Sequence, residues 1–220
     1  MTQKEVEYIL QKQSRVFNFE NELVLHFALS LIHDFNFDAN DIYFEKTHQI
    51  QYHKQTTGLP HNEKESYFDL IAIKQGIRIG FEFKYCTSKF SFVDANKMKI
   101  DLKAQSANDI IRFGFRKDIF RLEQLIQKNE IDIGFAVLLT NVKNLIQTQL
   151  DNNLLDANYR FTNTIPQIDL GWNNADREET HWTKKGDKDY LLHLSKPYSI
   201  QWFRNSCQEH FFSFCVVTIV

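Results

Sequence analysis

Tyr67-Phe68-Asp69-Leu70-Ile71-Ala72-Ile73-Lys74-Gln75-Gly76-Ile77-Arg78-Ile79-Gly80-Phe81-Glu82-Phe83-Lys84 reads as two strands joined at Gln75-Gly76. Both runs are rich in β-branched and aromatic residues, and a glycine between two such runs signals a hairpin. A two-residue turn pairs Lys74 with Ile77 and thereby sets every other pair. Phe68 then faces Phe83, Leu70 faces Phe81 and Ala72 faces Ile79, which makes one face wholly apolar. The other face pairs Tyr67 with Lys84, Asp69 with Glu82, Ile71 with Gly80 and Ile73 with Arg78.

Facing residues of an antiparallel pair lie about 4.5–5.5 Å apart at Cβ, and like charges so placed destabilise a sheet. A divalent cation between Asp69 and Glu82 would remove the repulsion, because Mg2+ takes carboxylate oxygens. Lys84 lies two residues beyond Glu82, so strand alternation points both side chains the same way. Two carboxylates and an ammonium suit the activation of a water against a phosphodiester. The plainer reading is an exposed hairpin face on which Lys84 compensates the two acids.

Asp69, twelve further residues and then Glu82-Phe83-Lys84 resembles the D…ExK signature of the PD-(D/E)XK nuclease superfamily, with Phe68 standing where the superfamily's name carries proline. The resemblance implies an α/β fold, a restriction-endonuclease-like core of order α-β-β-β-α-β with a mixed central sheet flanked by helices. It implies a metal-dependent phosphodiesterase that binds Mg2+, or Mn2+ in its place, through Asp69, Glu82 and the Phe83 carbonyl. Lys84 would orient or deprotonate the water. A glutamate from the first core helix often reaches the metal in this family, and Glu22 would fill that role; equally, Glu22 could serve the helix N-terminus as first-turn acids do. The implied substrate is nucleic acid, DNA ahead of RNA. The rival reading is a nuclease-fold module that binds nucleic acid or assembles without turnover.

At 220 residues the chain has the size of one α/β domain, and its 7 glycines and 3 prolines argue against a long linker. Net charge is −2, but residues 84–121 hold nine basic against four acidic side chains, +5, leaving −7 elsewhere. A basic segment beside an acidic site suits a nucleic acid. Its candidate contacts are Lys89, Lys97, Lys99, Lys103, Gln105 and Arg112, with Lys103 and Gln105 also candidates for a further site residue; a solvated helix face is the alternative. Three cysteines, Cys86, Cys207 and Cys215, lack CxxC spacing, no secretory signal opens the chain and no apolar run reaches membrane-spanning length. These features predict a cytoplasmic protein with no membrane contact and a structural Cys86.

Around the hairpin, residues 2–14 read as a short helix, and Asn18 as the cap of a second helix running to Phe35. That helix is apolar over most of its circumference, with Glu22, His26, Ser30 and His33 as its polar stripe. Residues 41–52 read as a strand, bent midway. His48, His53 and His61 match no tight zinc spacing. Residues 100–129 read as helical, interrupted near Gly114, with Phe115, Ile119, Leu122 and Ile126 facing the core. Ile131 to Thr140 is a continuous apolar run, the pattern of a buried strand, expected parallel to the Glu82 strand. Asn141 caps a helix to about Leu150. Residues 1–150 thus form the core with its N-terminal helix, the family resemblance covering 18–150, and residues 151–220 a β-rich extension packed on it. Trp172 or Trp182 could stack on bases there, or pack internally. The terminal strand from Phe211 to Val220 is too apolar to stand exposed, so the fold or a second subunit of a homodimer must cover it.

Overall fold

The computed structural model describes the chain apart from residues 56, 61–62, 95, 105–106, 147–153, 162, 174–180, 185 and 206–211. The helices are α1 (Gln3–Lys12), α2 (Glu20–Phe35), α3 (Asn108–Gln127) and α4 (Lys143–Ile146). The strands are β1 (Ile42–Ile50), β2 (His53–Lys54), β3 (Lys64–Lys74), β4 (Ile77–Cys86), β5 (Phe90–Val93), β6 (Lys99–Leu102), β7 (Ile133–Thr140), β8 (Thr164–Ile165), β9 (Tyr190–Leu191), β10 (Tyr198–Ser199), β11 (Phe203–Arg204) and β12 (Ser213–Ile219). Six of them form one mixed sheet in the order β1-β3-β4-β7-β12-β11. β4 and β7 run parallel across the α3 crossover, and the other neighbours in the sheet are antiparallel. The fold is therefore α/β, with a mixed central sheet between helices.

The hairpin forms in the expected register, from Lys74↔Ile77 to Leu70↔Phe81. Gln75 and Gly76 both take positive φ, 52° and 78°, as a type I′ turn requires. Beyond Leu70 the ladder stops, so the expected Asp69–Glu82, Phe68–Phe83 and Tyr67–Lys84 pairs do not form. Alternation also breaks there. Leu70 and Ala72 pack with Phe81 and Phe83 on the α2 side, whereas Phe68 packs with Ile71 on the α3 side. The cause is visible in the neighbouring strand: Glu45 of β1 has φ 47° and the β1–β3 ladder skips the Glu45–Asp69 position. A non-glycine residue there is strained and bends the strand, as the sequence suggested for residues 41–52.

Strand alternation on β4 sorts the two layers. Ile79, Phe81, Phe83 and Tyr85 meet α1 and α2, while Gly80, Glu82, Lys84 and Cys86 face α3. β7 is buried along nearly its whole length, as its unbroken apolar run requires. β12 pairs with β7 along its whole length and with β11 at Ser213 and Phe214, and most of its side chains are buried; Phe211 is outside the described residues.

Three helix expectations change. α2 is capped at Phe19, not Asn18, and its Leu25 and Leu29 are 49% and 38% exposed although the helix looked buried nearly all round. α3 starts at Asn108, because residues 99–102 pair with β5 as a hairpin. It also runs through Gly114 unbroken. The Lys84 stem passes over the helix at this glycine, where a Cβ would lie 3.4 Å from Lys84 Cε, an ordinary contact. The helix after Asn141 is described only as Lys143–Ile146.

The C-terminal segment does more than extend the sheet. It covers the outer face of α3, where Arg116 donates to the Leu192, Pro166 and Gln167 carbonyls and Glu123 accepts from Ser195 and Tyr198. Trp172 is 5% exposed, packs on Phe113 and Tyr159 and donates its indole N–H to Lys188 O. Trp182 packs edge-on against it at 5.3 Å. Trp172 is thus a core residue rather than a base-stacking platform, and Trp182 is partly buried beside it. Among the described residues no helix is long and apolar enough to cross a membrane.

Candidate active site

Where β3 and β4 part, the backbone N–H groups of β4 lose their strand partner and carboxylates take its place. Asp69 Oδ2 accepts from Phe83 N at 2.6 Å, and Glu20 Oε2 accepts from Tyr85 N at 2.7 Å. Each bond satisfies an amide that burial would otherwise penalise by about 1–3 kcal/mol. The same opening exposes the flank of Glu82 and Lys84 to α3. Lys84 Nζ sits 2.9 Å from Asp118 Oδ2 and donates to Phe83 O at 3.1 Å. Arg121 Nη2 lies 2.5 Å from Glu82 Oε1 and also donates to Tyr67 O, with its guanidinium 4.6 Å from the Phe68 ring centre.

The structure therefore brings Asp69, Glu82, the Phe83 carbonyl and Lys84 together, and adds Glu20, Asp118 and Arg121. Glu82 and Asp118 are 1% and 2% exposed. Counted as ionised, four carboxylates against two cations leave a formal −2 in a partly buried site. Burial pushes the Glu82 carboxyl well above the ordinary range, against the pull of Arg121. Burial likewise raises Asp118 against Lys84, and raises Glu20 against the same lysine. For Lys84 burial works against the ammonium, yet Asp118, Glu20, Asp69 and Glu82 outweigh it and hold the amine above the usual lysine range. The carboxylates around it thus favour the ammonium form of Lys84.

The raised carboxyls predict a pH dependence. A group whose folded pKa exceeds its unfolded one stabilises fully below the unfolded value and loses that contribution as pH rises through the folded one. With a chelator present, the wild-type melting temperature should therefore fall relative to that of Glu82→Gln as pH climbs above the ordinary carboxylate range of about 4. Melting curves of both proteins from acid to neutral pH test this; a difference that stays constant through that window contradicts the raised Glu82 carboxyl.

Glu22 does not reach the site. It pairs with Arg15 and accepts from Asn18 N at 2.7 Å, which makes it a first-turn acid serving the helix start. Glu20 stands in its stead because two residues rotate a helix by about 200°. A sequence signal existed: Glu20 lies three and four residues before Leu23 and Val24, which with Phe27 and Leu31 form the buried stripe. Asp118 and Arg121 were missed for a similar reason, since α3 looked amphipathic with its charged face in water.

The expected basic surface divides in two. Arg112 is turned inward, 6% exposed, paired with Asp156 and donating to Asn144 O at 2.7 Å. With Arg116 and Arg121 also internal, α3 does not present the basic face its sequence suggested. Lys89, Lys97, Lys99 and Lys103 are exposed on and around the β5–β6 hairpin, Lys99 in an ion pair with Asp101. Gln105 lies outside the described residues, as do His61 and Cys207. Cys86 is buried and its thiol is pushed up to about 11, as befits a structural cysteine. His48 pairs with Glu130, and among the described residues no three acid, histidine or cysteine side chains are clustered as a metal group.

Whether a divalent cation suits this set turns on its oxygens. Mg2+ needs only one or two carboxylates, because it keeps several of its waters. Glu82 Oε1 lies 2.5 Å from Arg121 Nη2 and Asp118 Oδ2 lies 2.9 Å from Lys84 Nζ, so each oxygen is already ion-paired. The formal excess of −2 and the Phe83 carbonyl suit a hard dication, which would have to share or displace the Arg121 contact at Glu82. Compared with protein-family models, with curated proteins and with solved structures, the chain matches none.

Proposed function

We propose that this chain is a Mg2+-dependent phosphodiesterase acting on nucleic acid, DNA ahead of RNA, built on a restriction-endonuclease-like core of the PD-(D/E)XK kind. The observation that carries the reading is the convergence of Asp69, Glu82 and Lys84 at the point where β3 and β4 separate, with a negative excess equal to one dication. With the short β2 and the β5–β6 hairpin taken as insertions, the element order α2-β1-β3-β4-α3-β7 supports it.

Asp69, Glu82 and the Phe83 carbonyl would hold the cation, with Glu20 as an outer acid in place of Glu22. A bound Mg2+ supplies a Lewis acid for a phosphoryl oxygen and a more acidic water. Lys84, kept protonated and aimed by Asp118, places positive charge where the phosphoryl oxygens gain negative charge. Arg121 fixes the Glu82 carboxylate and ties it to Tyr67 O on the departing strand.

A second reading draws on that same arginine. The Arg121–Glu82 pair already neutralises the acid, which favours a silent module that keeps the fold without turnover. Metal titration separates the two. An intact site gains about 2.7 kcal/mol at a cation concentration 100 times the dissociation constant, or roughly 5–10 °C for a chain of this size. Mn2+ should therefore raise the melting temperature, and purified protein should cut DNA or RNA in its presence. No thermal gain together with no cleavage of any nucleic acid form would leave the silent module standing.

A further inference from the structure

One face of the acid centre is unexplained by this chemistry. Asp69 is also a wall of a groove of about 250 Å3 between α2 and β1, completed by Asn21, Val24, Leu25, Phe44 and Glu45. Leu25 and Phe44 are 49% and 48% exposed on opposite walls, and Phe19, just before α2, is 61% exposed. Large apolar side chains left in water beside a groove are informative in a way that a single exposed leucine is not. Glu45, with φ 47°, is the residue that bends β1 opposite Asp69.

We infer that this groove binds one unstacked nucleobase of a single-stranded substrate, a proposal that rests on the nuclease reading above. Size is the first reason. The groove is smaller than the roughly 300–1,000 Å3 of sites for drug-sized ligands, so it takes a flat heterocycle rather than a duplex end. Chemistry is the second. Phe44 and Leu25 offer apolar surface to a π-face, while the Asn21 amide and Glu45 carboxylate suit the donor and acceptor edge of a base. Charge is the third: Glu45 and Asp69 repel phosphate, so the base and not the backbone enters. The cations that a duplex would require along α3 are internal, because Arg112, Arg116 and Arg121 are all committed to protein partners. A base inside a duplex would not reach this groove; a base from a single strand would, with its phosphate left outside the groove and met by the cation that Asp69 would hold.

The test uses short oligonucleotides carrying 2-aminopurine, as DNA and as RNA, single-stranded or annealed, with Ca2+ in place of Mg2+ to limit cleavage. Single strands should bind at least about tenfold more tightly than the duplex, and the 2-aminopurine fluorescence should be quenched on binding. Phe44→Ala should abolish the quenching and weaken single-strand binding roughly 5- to 150-fold, the loss of one base–aromatic stack, with the melting temperature unchanged because the ring is half in water. Phe44→Trp should restore both. Equal affinity for duplex and single strand, or a Phe44→Ala protein that binds and quenches like wild type, overturns the proposal. So does a wild-type dimer that Phe44→Ala converts to a monomer, since the patch then belongs to a second copy. The nuclease reading is scored separately by cleavage in Mn2+. Phe44-dependent binding without cleavage sinks the enzyme and keeps the groove. Cleavage of both forms, indifferent to Phe44, keeps the enzyme and sinks the groove.

Discussion

Asp69→Asn loses Mn2+-dependent cleavage by at least about 10²–10³-fold, the scale on which a lost preorganised electrostatic contact lowers turnover. The amide is the informative substitution because Asp69 has two jobs. Its Oδ2 satisfies Phe83 N across the gap between β3 and β4, and its negative charge would hold the cation. Asparagine keeps an oxygen for the amide and removes the charge, so the melting temperature without metal should hold. Alanine removes both and strands the buried Phe83 N–H, which should cost about 1–3 kcal/mol on top of the activity. The decisive measurements are cleavage rates in Mn2+ and melting curves with and without it. Full activity in Asp69→Asn would remove this residue from the chemistry; a collapsed melting temperature would show that the charge itself holds the gap together.

Arg116→Met lowers stability by about 3–5 kcal/mol, the range for removing one member of a buried ionic pair. Arg116 is 2% exposed and donates to the carbonyls of Leu192, Pro166 and Gln167 at 2.9–3.0 Å, with Asp169 Oδ2 3.8 Å from its Nε. Methionine fills the stem's volume but leaves three acceptors and a buried carboxylate without their cation. At roughly 2–4 °C per kcal/mol for a chain of this length, the melting temperature should drop about 6–20 °C. Trp172 packs in the same layer as the segment Arg116 holds, so its fluorescence should shift to the red at lower temperature. Lys89→Met, exposed on the connection after β4, is the matched control and should stay within about 0.5 kcal/mol of wild type. An Arg116→Met protein that melts with the control would show that the C-terminal segment is held by apolar packing alone.

These two residues mark where local pattern sufficed and where it did not. Gln75-Gly76 between apolar runs determined the hairpin and its register as far as Leu70↔Phe81, because turn geometry and pleat are local properties. The unbroken run Ile133–Thr140 determined a buried strand, and the helix between it and β4 made the pairing parallel. Asp69, Glu82 and Lys84 were therefore legible as neighbours before any coordinates. What they do to one another was not. The register of one hairpin predicts Asp69 facing Glu82, but the strain at Glu45 in a third strand ends the ladder there and turns the carboxylate onto Phe83 N instead.

The basic segment shows the same division more sharply. Counting charges from Lys84 to Arg121 gives +5 whether the side chains face water or protein. Only the C-terminal segment, folding back over α3 with no periodic signal of its own, decides that Arg112 and Arg116 point inward, and only the sheet beneath makes Arg121 a partner of Glu82. Glu20 and Glu22 lie about 200° apart around α2, and the face that packs on the sheet selects which acid meets Tyr85 N. The sequence by itself determined the central hairpin, the buried strand parallel to it and the nearness of Asp69, Glu82 and Lys84. Tertiary packing alone decided which charges are buried against each other, because burial is set by what covers a surface and not by the residues that form it.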